Sequence, residues 1–307
     1  MKKVLVATEK PFASKAVNSI REIVENAGYQ LVLLEKYTTK DELLAAVADV
    51  DAMIIRSDIA DKAVIEHAKN LKIIVRAGAG YDNIDLTAAS EHGIVAMNTP
   101  GQNSNAVAEL AIGMMIYMAR NKFDGKAGTE LRDKTLGIHA FGNVGKIVGT
   151  IAKGMGMDVY AYDPFVSKDH ITSAGVKVIE NEQELYKTCQ YVSLNIPATP
   201  QTKKHIGFDL LSKMPENAVL VNTARKEIID EEGLLKMFET RPDFKYISDI
   251  APDCQAEIES KYPGRYFFTP KKMGAQTAEA NINAGIAAAK QIVNFFEKGD
   301  TTFQVNK

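Results

Sequence analysis

Short apolar runs alternate with amphipathic, helix-like stretches along nearly the whole chain. Before residue 100 the pattern predicts strands at VLVA, AMIIR, KIIVRA and VAMN, separated by helices over 14–27, 61–67 and 85–92. After residue 135 it predicts about six more strands, namely LGIHAF, DVYAYD, GVKVI, YVSLNI, AVLVNTA and YISDI. Regular alternation of strand and helix is typical of parallel sheets built from βαβ units. We therefore expect an α/β protein.

A glycine-rich turn follows the first strand of the second series. The string LGIHAFGNVGKIVG, residues 136–149, ends an apolar run and opens a helix, and Asp163 ends the next strand. Free N–H groups and the helix dipole at such a turn suit a pyrophosphate, and Gly142 and Gly145 allow close approach. A carboxylate at the position of Asp163 accepts hydrogen bonds from ribose hydroxyls and repels a ribose phosphate, which predicts NAD as the cofactor. Ala140 replaces the usual first glycine, so the turn must tolerate a β-carbon.

The length and the connecting segments predict two domains. At 307 residues the chain is long for one core. Residues 103–120 are apolar on most sides, which predicts a buried connecting helix, and the last helix, over 277–298, is expected to return to the first domain. We predict two Rossmann-like, doubly wound parallel-sheet domains with a cleft between them. Residues 1–97 with 277–307 form the substrate-binding domain, and residues 98–276 form the NAD-binding domain.

Charge and cysteine content narrow the class of partner. The net charge is −2, without a basic or acidic block, so neither nucleic acid nor a membrane surface is an expected partner. The N-terminus runs directly into a strand, no apolar run reaches eighteen residues, and Cys189 and Cys254 lie far apart. We expect a reduced, cytoplasmic enzyme that binds a small molecule. No His or Cys spacing indicates a metal site.

Several strings, in one order along the chain, resemble the D-2-hydroxyacid dehydrogenase family. They are VRAGAGYDNID (75–85), NTPGQNSNAVAELAIG (98–113), the glycine-rich turn and VNTARKEIIDEEGL (221–234). The second string, with Arg56-Ser57, is most similar to the branch that oxidises 3-phospho-D-glycerate to 3-phosphohydroxypyruvate with NAD, at the entry to serine synthesis. Hydroxypyruvate, glyoxylate or D-lactate chemistry, or an NAD-sensing binding protein without chemistry, are the alternatives. The sequence ends soon after the last helix, so the regulatory C-terminal domain of many members is not expected.

The resemblance implies a set of cofactor contacts around the glycine-rich turn and the following strand ends. Asp249 resembles the aspartate that bonds the nicotinamide amide, although a buried structural cap is an equal alternative. In the family the region after residue 120 joins two subunits, and we expect a homodimer, although the segment 121–135 is short and lacks tryptophan. The implied cofactor residues are Phe141, Gly142, Asn143, Val144, Gly145, Asp163, Pro164, Asn195, Pro197, Thr202, Thr223, Ala224, Asp249 and Gly274.

Arginines and a glycine-rich turn are candidates for holding the substrate, a phosphorylated 2-hydroxy acid. Arg225 follows the strand AVLVNTA, where a guanidinium can grip a carboxylate through paired hydrogen bonds, and it matches the family's catalytic arginine. Arg56 and Ser57 match the family's RS pair, which implies a phosphate contact. The backbone amides of Ala77, Gly78, Ala79 and Gly80 form a second candidate anion cradle. The alternatives are a surface salt bridge, a rim arginine and an ordinary tight turn.

The segment TPKKMGAQT, residues 269–277, departs from the family pattern. The family's general acid/base is a histidine in this segment, and the segment of this chain contains no histidine. Counting back from GAQT places Lys272 in that position, and counting forward from TP places Lys271 there; we favour Lys272. The partner glutamate is also missing, since its position holds Cys254. Either the site is inactive or a lysine transfers the proton. As a base near neutrality, a lysine must lower its pKa of about 10.4 by ~2–3 units, for which we expect burial and the nearby charge of Arg225.

Overall fold

All 307 residues are described by the computed structural model, and they divide into two units. Unit 1 comprises Met1–Asn103 and Gln276–Lys307, and unit 2 comprises Ser104–Ala275. The first boundary lies after residue 103 rather than 97, because the turn that follows the last strand of unit 1 stays with that strand. The second boundary lies between residues 275 and 276, next to the predicted position.

Strands and helices alternate through both units. The strands are β1 (Lys3–Thr8), β2 (Gln30–Glu35), β3 (Ala52–Ile55), β4 (Ile73–Arg76), β5 (Val95–Asn98), β6 (Thr135–His139), β7 (Asp158–Tyr162), β8 (Lys177–Val178), β9 (Tyr191–Leu194), β10 (Val219–Asn222), β11 (Lys245–Ser248) and β12 (Tyr266–Phe268). The helices are α1 (Ser14–Asn26), α2 (Lys40–Val47), α3 (Lys62–His67), α4 (Leu86–Glu91), α5 (Ser104–Ala119), α6 (Asn143–Gly154), α7 (Lys168–Ser173), α8 (Glu182–Thr188), α9 (Phe208–Leu211), α10 (Glu231–Thr240), α11 (Gln255–Lys261) and α12 (Ala278–Lys298).

Unit 1 is built on a five-stranded parallel sheet in the order β2-β1-β3-β4-β5. The central strand β3 is buried over its whole length and β4 at every position except its last, Arg76, as expected for a sheet covered on both faces. Alternate side chains enter two cores, one shared with α1 and α12 and the other with α2, α3 and α4. The chain order reverses between β1 and β3, and ligands of such sheets bind at the carboxyl ends of the strands near that point.

Unit 2 contains a seven-stranded parallel sheet in the order β12-β11-β10-β9-β6-β7-β8. Taken from its first strand, this order is that of a dinucleotide-binding sheet with one further strand at the edge. One face is covered by α5 and α6, and the other by α8, α9 and α10. The order reverses between β6 and β9, so the glycine-rich turn after β6 lies where a dinucleotide is expected.

The structure confirms the predicted α/β fold class with two doubly wound parallel sheets. It adds β2 and α2 in unit 1 and β12 in unit 2, which the hydrophobic pattern did not predict. It also adds α7, which Ser167 caps by accepting the His170 amide. None of the helices combines the length and apolar character needed to span a bilayer.

Candidate functional site

The glycine-rich turn connects β6 to α6 in unit 2. Gly142 is the N-cap of α6, and no side chain caps the helix there. The first-turn amides of Asn143, Val144 and Gly145 therefore remain at the positive end of the helix dipole, where a helix terminus binds anions. Phe141 is buried beneath the turn and anchors it in the core.

The two glycines of this turn have different roles. A β-carbon on Gly142 would meet no atom within 4 Å, so the space above this residue is open for a close ligand. A β-carbon on Gly145 would lie 2.3 Å from the Ala140 carbonyl oxygen and 2.9 Å from Ile138 Cγ2. Gly145 thus allows α6 to pack on β6, and its contact with a cofactor stays a prediction.

Ala140 is strained. Its φ is +73°, in the left-handed region that favours glycine. The expectation that the turn would suit a β-carbon is therefore wrong. The conformation is held in place because the Ala140 amide donates to the Tyr162 carbonyl at 2.9 Å.

Asp163 follows β7 and faces the glycine-rich turn. Its Oδ2 accepts the Phe141 amide at 2.7 Å, and its Oδ1 accepts the Phe165 amide at 2.8 Å. Pro164 and Phe165 next to it are exposed. The carboxylate is thus held beside the turn in a defined orientation, with lone pairs left for further donors.

Two of the implied cofactor residues carry buried polar atoms without a partner. They are Asn195 Oδ1, after β9, and Thr223 Oγ1, after β10. A buried polar atom normally has a hydrogen-bond partner, so a ligand at these strand ends would satisfy both. Pro197 and Thr202 instead bond to each other: the Thr202 hydroxyl donates to the Pro197 carbonyl at 2.5 Å, which closes the turn after β9.

Lys272 and Arg225 converge on one backbone oxygen in unit 2. Lys272 Nζ donates to the carbonyl of Ala224 at 2.7 Å, and Arg225 Nη1 donates to the same oxygen at 3.0 Å. Arg225 directly follows the turn at the end of β10, and Lys272 lies in the loop after β12. Two of the three sequence candidates for catalysis are thus brought together.

The lysine loop itself is fastened by Asp249, which directly follows β11 and is 1% exposed. Asp249 Oδ1 accepts the Met273 amide at 2.8 Å and the Thr269 hydroxyl at 3.1 Å. Asp249 Oδ2 accepts the Gly274 amide at 2.7 Å. A β-carbon on Gly274 would lie 2.8 Å from that oxygen, so a glycine is required there.

The exposure of the two lysines differs from what the sequence led us to expect. Lys272 and Lys271 are both exposed, whereas burial was expected for the lysine that acts as a base. Both lysines lie in a loop that leaves the sheet after its edge strand, and this explains their contact with solvent. Lys271 contributes its carbonyl to the loop by accepting the Thr269 hydroxyl at 2.9 Å.

The position of the missing glutamate is bonded to α10. Cys254, which occupies it, donates its amide to Glu231 Oε2 at 2.9 Å. Burial and the neighbouring Glu231 carboxylate raise the pKa of the Cys254 thiol to about 12, so it stays protonated. Asp253 pairs with Lys226 rather than with either loop lysine.

In unit 1 the Arg56 guanidinium lies at the carboxyl end of β3. It donates to the carbonyls of Lys10 at 2.9 Å and Pro11 at 3.3 Å and to Asn281 Oδ1 at 2.5 Å. These contacts use three of its five N–H donors, so donors remain for an anion. Burial lowers the pKa of Arg56 from its usual value, and the neighbouring Asp58 opposes the shift. Ser57 is exposed.

The candidate amide cradle in unit 1 is smaller than predicted. The Ala77 amide donates to the Ile55 carbonyl and the Gly78 amide to the Arg76 carbonyl, each at 2.8 Å. The prediction that these two amides donate to an anion is therefore wrong, because each already donates to a backbone carbonyl. Only the amides of Ala79 and Gly80 remain candidates. The turn needs glycine at Gly78, whose φ is +155°.

Two buried polar residues organise these turns and were missed in the sequence. Asn222 ends β10, with Oδ1 accepting the Ala224 amide at 3.0 Å and Nδ2 donating to the Arg225 carbonyl at 2.9 Å. Asp58 accepts the amides of Glu9 at 2.7 Å and Arg56 at 3.2 Å. A single polar residue at or just after an apolar strand was the only available signal for either.

Comparison with known proteins identifies the class. Residues 5–306 match the family described as D-isomer specific 2-hydroxyacid dehydrogenase, catalytic domain. The chain belongs to this D-2-hydroxyacid dehydrogenase family, which confirms the family predicted from the sequence.

Individual relatives refine the comparison. A solved structure, the NAD⁺-bound 3-phosphoglycerate dehydrogenase of Entamoeba histolytica, is 50% identical with a TM-score of 0.90, over 100% of this chain and 99% of that one. The D-3-phosphoglycerate dehydrogenase of Methanocaldococcus jannaschii is 36% identical over 310 residues, 95% of this chain. This chain spans only 57% of that relative's length. The hydroxypyruvate reductase of Thermotoga maritima is also 36% identical, over 86% of this chain and 90% of its own.

Proposed function

We propose that this protein is an NAD-dependent dehydrogenase that oxidises 3-phospho-D-glycerate to 3-phosphohydroxypyruvate. The observation that carries the proposal is the convergence of Lys272 and Arg225 on the Ala224 carbonyl. This reaction requires a cation for the substrate carboxylate and a group that exchanges a proton with the C2 oxygen. The 50% identity to the Entamoeba histolytica enzyme supports the choice of substrate.

The residues of unit 2 fit NAD. We assign the pyrophosphate to the first turn of α6 above Gly142 and the adenosine ribose to Asp163. The orphaned Asn195 and Thr223 atoms fit further polar groups of the cofactor, with Pro197, Thr202, Ala224 and Gly274 around them. NAD supplies the hydride acceptor when it is bound.

In the proposed mechanism Arg225 binds the carboxylate and Lys272 exchanges the proton. During oxidation the Lys272 amine takes the hydroxyl proton at C2 as the C–H electron pair leaves as hydride. During reduction the Lys272 ammonium returns a proton to the carbonyl oxygen, and an ammonium is the ordinary state of a lysine at neutral pH. Arg56, with Ser57 and the amides of Ala79 and Gly80, is assigned to the substrate phosphate.

The test is the loss of NADH absorbance with 3-phosphohydroxypyruvate, run beside hydroxypyruvate and pyruvate, and repeated with NADPH. The proposal expects the highest kcat/KM for the phosphorylated acid and a preference for NADH. Higher kcat/KM for hydroxypyruvate would instead support the activity named for the Thermotoga maritima relative. Binding of NADH without turnover of any keto acid would favour an NAD-sensing protein.

We further propose that the protein is a cytoplasmic homodimer. The segment after α5 leaves Phe123 65% exposed, and such an aromatic is more common at interfaces than on free surfaces. Sedimentation at micromolar concentration should give a dimer that does not dissociate on dilution. A monomer at these concentrations would contradict the assignment.

A further inference from the structure

We propose that Asp249 is a positioning residue that holds Lys272 against Arg225, a role that rests on the proposed function and deepens it. The amide of Met273 belongs to the peptide bond directly after Lys272, and Asp249 Oδ1 accepts it at 2.8 Å. Asp249 Oδ2 accepts the next amide, that of Gly274, at 2.7 Å. Two consecutive peptide groups after the lysine are thus fixed by one carboxylate.

The other end of the arrangement is fixed through Asn222. The Asp249 amide donates to the Asn222 carbonyl at 2.9 Å, which ties the end of β11 to the end of β10. The Asn222 side chain then bonds the Ala224 amide at 3.0 Å and the Arg225 carbonyl at 2.9 Å. The Ala224 carbonyl, which accepts both cations, lies between those two bonds along the chain.

Burial makes this arrangement rigid. Asp249 is 1% and Asn222 0% exposed, so a lost hydrogen bond at either would leave a buried polar group unsatisfied. The fastening matters in this loop because both Lys271 and Lys272 are exposed. In this chain, which lacks the histidine and glutamate pair of the family, Asp249 supplies the orientation of the proton-transferring group.

A carboxylate has about four acceptor positions, and three donors already bond Asp249. Most of the acceptor positions of Asp249 are therefore used by the protein itself. If Asp249 acted only on the cofactor, its replacement would change the affinity for NADH and not kcat. In Asp249→Asn an NH₂ group replaces one of the two oxygens that accept the loop amides. Two hydrogen-bond donors then face each other, and that hydrogen bond is lost. We expect kcat to fall about tenfold to a hundredfold, as for a catalytic group displaced by about 1 Å, with the NADH dissociation constant unchanged.

A double-mutant cycle separates positioning from general damage. If Asp249 acts through Lys272, Asp249→Asn lowers kcat in the wild-type background and has no further effect on the residual rate of Lys272→Ala. Effects that multiply, or a loss seen only in NADH affinity, would overturn the proposal. Thr269→Val is the comparison variant, since it removes the hydroxyl that Asp249 Oδ1 and the Lys271 carbonyl share and leaves both amide bonds to Asp249.

Asn222→Asp provides a second variant in case Asp249→Asn folds poorly. This variant keeps the acceptor for the Ala224 amide and loses the donor to the Arg225 carbonyl. In a double-mutant cycle with Lys272→Ala it should likewise cause no further fall in kcat. If no keto acid is turned over, the proposed function fails by itself. The positioning role is then judged by acetylation with acetic anhydride: Asp249→Asn must change the labelling rate of Lys272 relative to Lys271, and an unchanged ratio would refute it.

Discussion

Lys272 Nζ and Arg225 Nη1 donate to the same oxygen, the Ala224 carbonyl, at 2.7 and 3.0 Å. The two side chains are separated by 47 positions in the sequence. They meet because β10 and β12 flank β11 in the parallel sheet, so that their carboxyl ends lie at the same edge. Under the proposed function we expect an anionic keto acid at this edge to meet two cations, one suited to paired hydrogen bonds and the other to proton exchange.

Replacement of Lys272 should abolish most turnover. We expect both Lys272→Ala and Lys272→Arg to lower kcat about a hundredfold or more, since an arginine keeps the charge but does not release its proton. Steady-state NADH oxidation measures the effect. Lys271→Ala is the matched control, because Lys271 is adjacent and also exposed, and the kcat of this variant should stay near wild type. A larger loss for Lys271→Ala would assign the proton transfer to that residue.

Arg56→Ala should discriminate between phosphorylated and unphosphorylated substrates. Loss of a charge-assisted contact of about 1.5–3 kcal/mol predicts a KM for 3-phosphohydroxypyruvate that is higher by roughly 10–100-fold. The KM for hydroxypyruvate should change much less. Asn281→Ala is the control, since it removes one anchor of the guanidinium and retains the charge. An equal rise for both substrates would remove Arg56 from phosphate recognition.

Both strands missed in the sequence, β2 and β12, lie at sheet edges and are only partly buried. The central strands β3 and β10 are buried at every position, and their unbroken apolar runs made them predictable. Edge position alone does not explain the two omissions, because the edge strands β5 and β8 were predicted from VAMN and GVKVI.

The residues of the candidate site that lie in local sequence motifs could be predicted from the sequence. The glycine-rich turn, Asp163 and Arg225 belong to short strings from which a contact with the cofactor or the substrate can be predicted. The bonds of Asp249 to Met273 and Gly274 join segments about 25 residues apart, and no local pattern encodes them. The exposure of Lys272 depends likewise on how its loop leaves an edge strand.

Ala140→Gly should stabilise unit 2. The left-handed conformation costs an alanine about 1–2 kcal/mol, and glycine loses about 0.5–1 kcal/mol more entropy on folding. The net gain in the free energy of unfolding is therefore about 0.5–1 kcal/mol, measured by urea denaturation. Gly154→Ala is a helical control without left-handed geometry or a nearby clash. A destabilised Ala140→Gly protein would show that the strain assignment is wrong.

Gly142→Ala and Gly145→Ala should fail in different ways. The β-carbon at residue 142 enters open space, so the melting temperature should hold while NADH binding weakens. The β-carbon at residue 145 meets the Ala140 carbonyl at 2.3 Å, so the melting temperature should fall. Fluorescence titration of NADH together with thermal melting separates the two effects. Equal losses of stability in both variants would contradict the different roles of these glycines.

His139 should make the protein less stable as the pH falls below neutrality. Its side chain is buried beside Glu182, with Nε2 3.2 Å from the carboxylate and Nδ1 3.1 Å from the Tyr186 hydroxyl. Burial lowers the pKa of His139 from 6.5 to about 4, although the Glu182 carboxylate opposes the shift. Between these values the unfolded chain binds more protons than the folded protein, so stability is lost as pH falls through 6.5 and toward 4.

The loss attributable to His139 between pH 7.5 and pH 5 is about 2 kcal/mol. Urea denaturation of His139→Gln at these two pH values should show a fall in stability that is smaller by about this amount than in the wild type. His67→Gln is the control, because His67 is exposed and bonds only the Ala63 carbonyl. If His139→Gln loses as much stability as the wild type, the acid sensitivity arises from carboxylates instead, since their protonation also destabilises a folded protein at low pH.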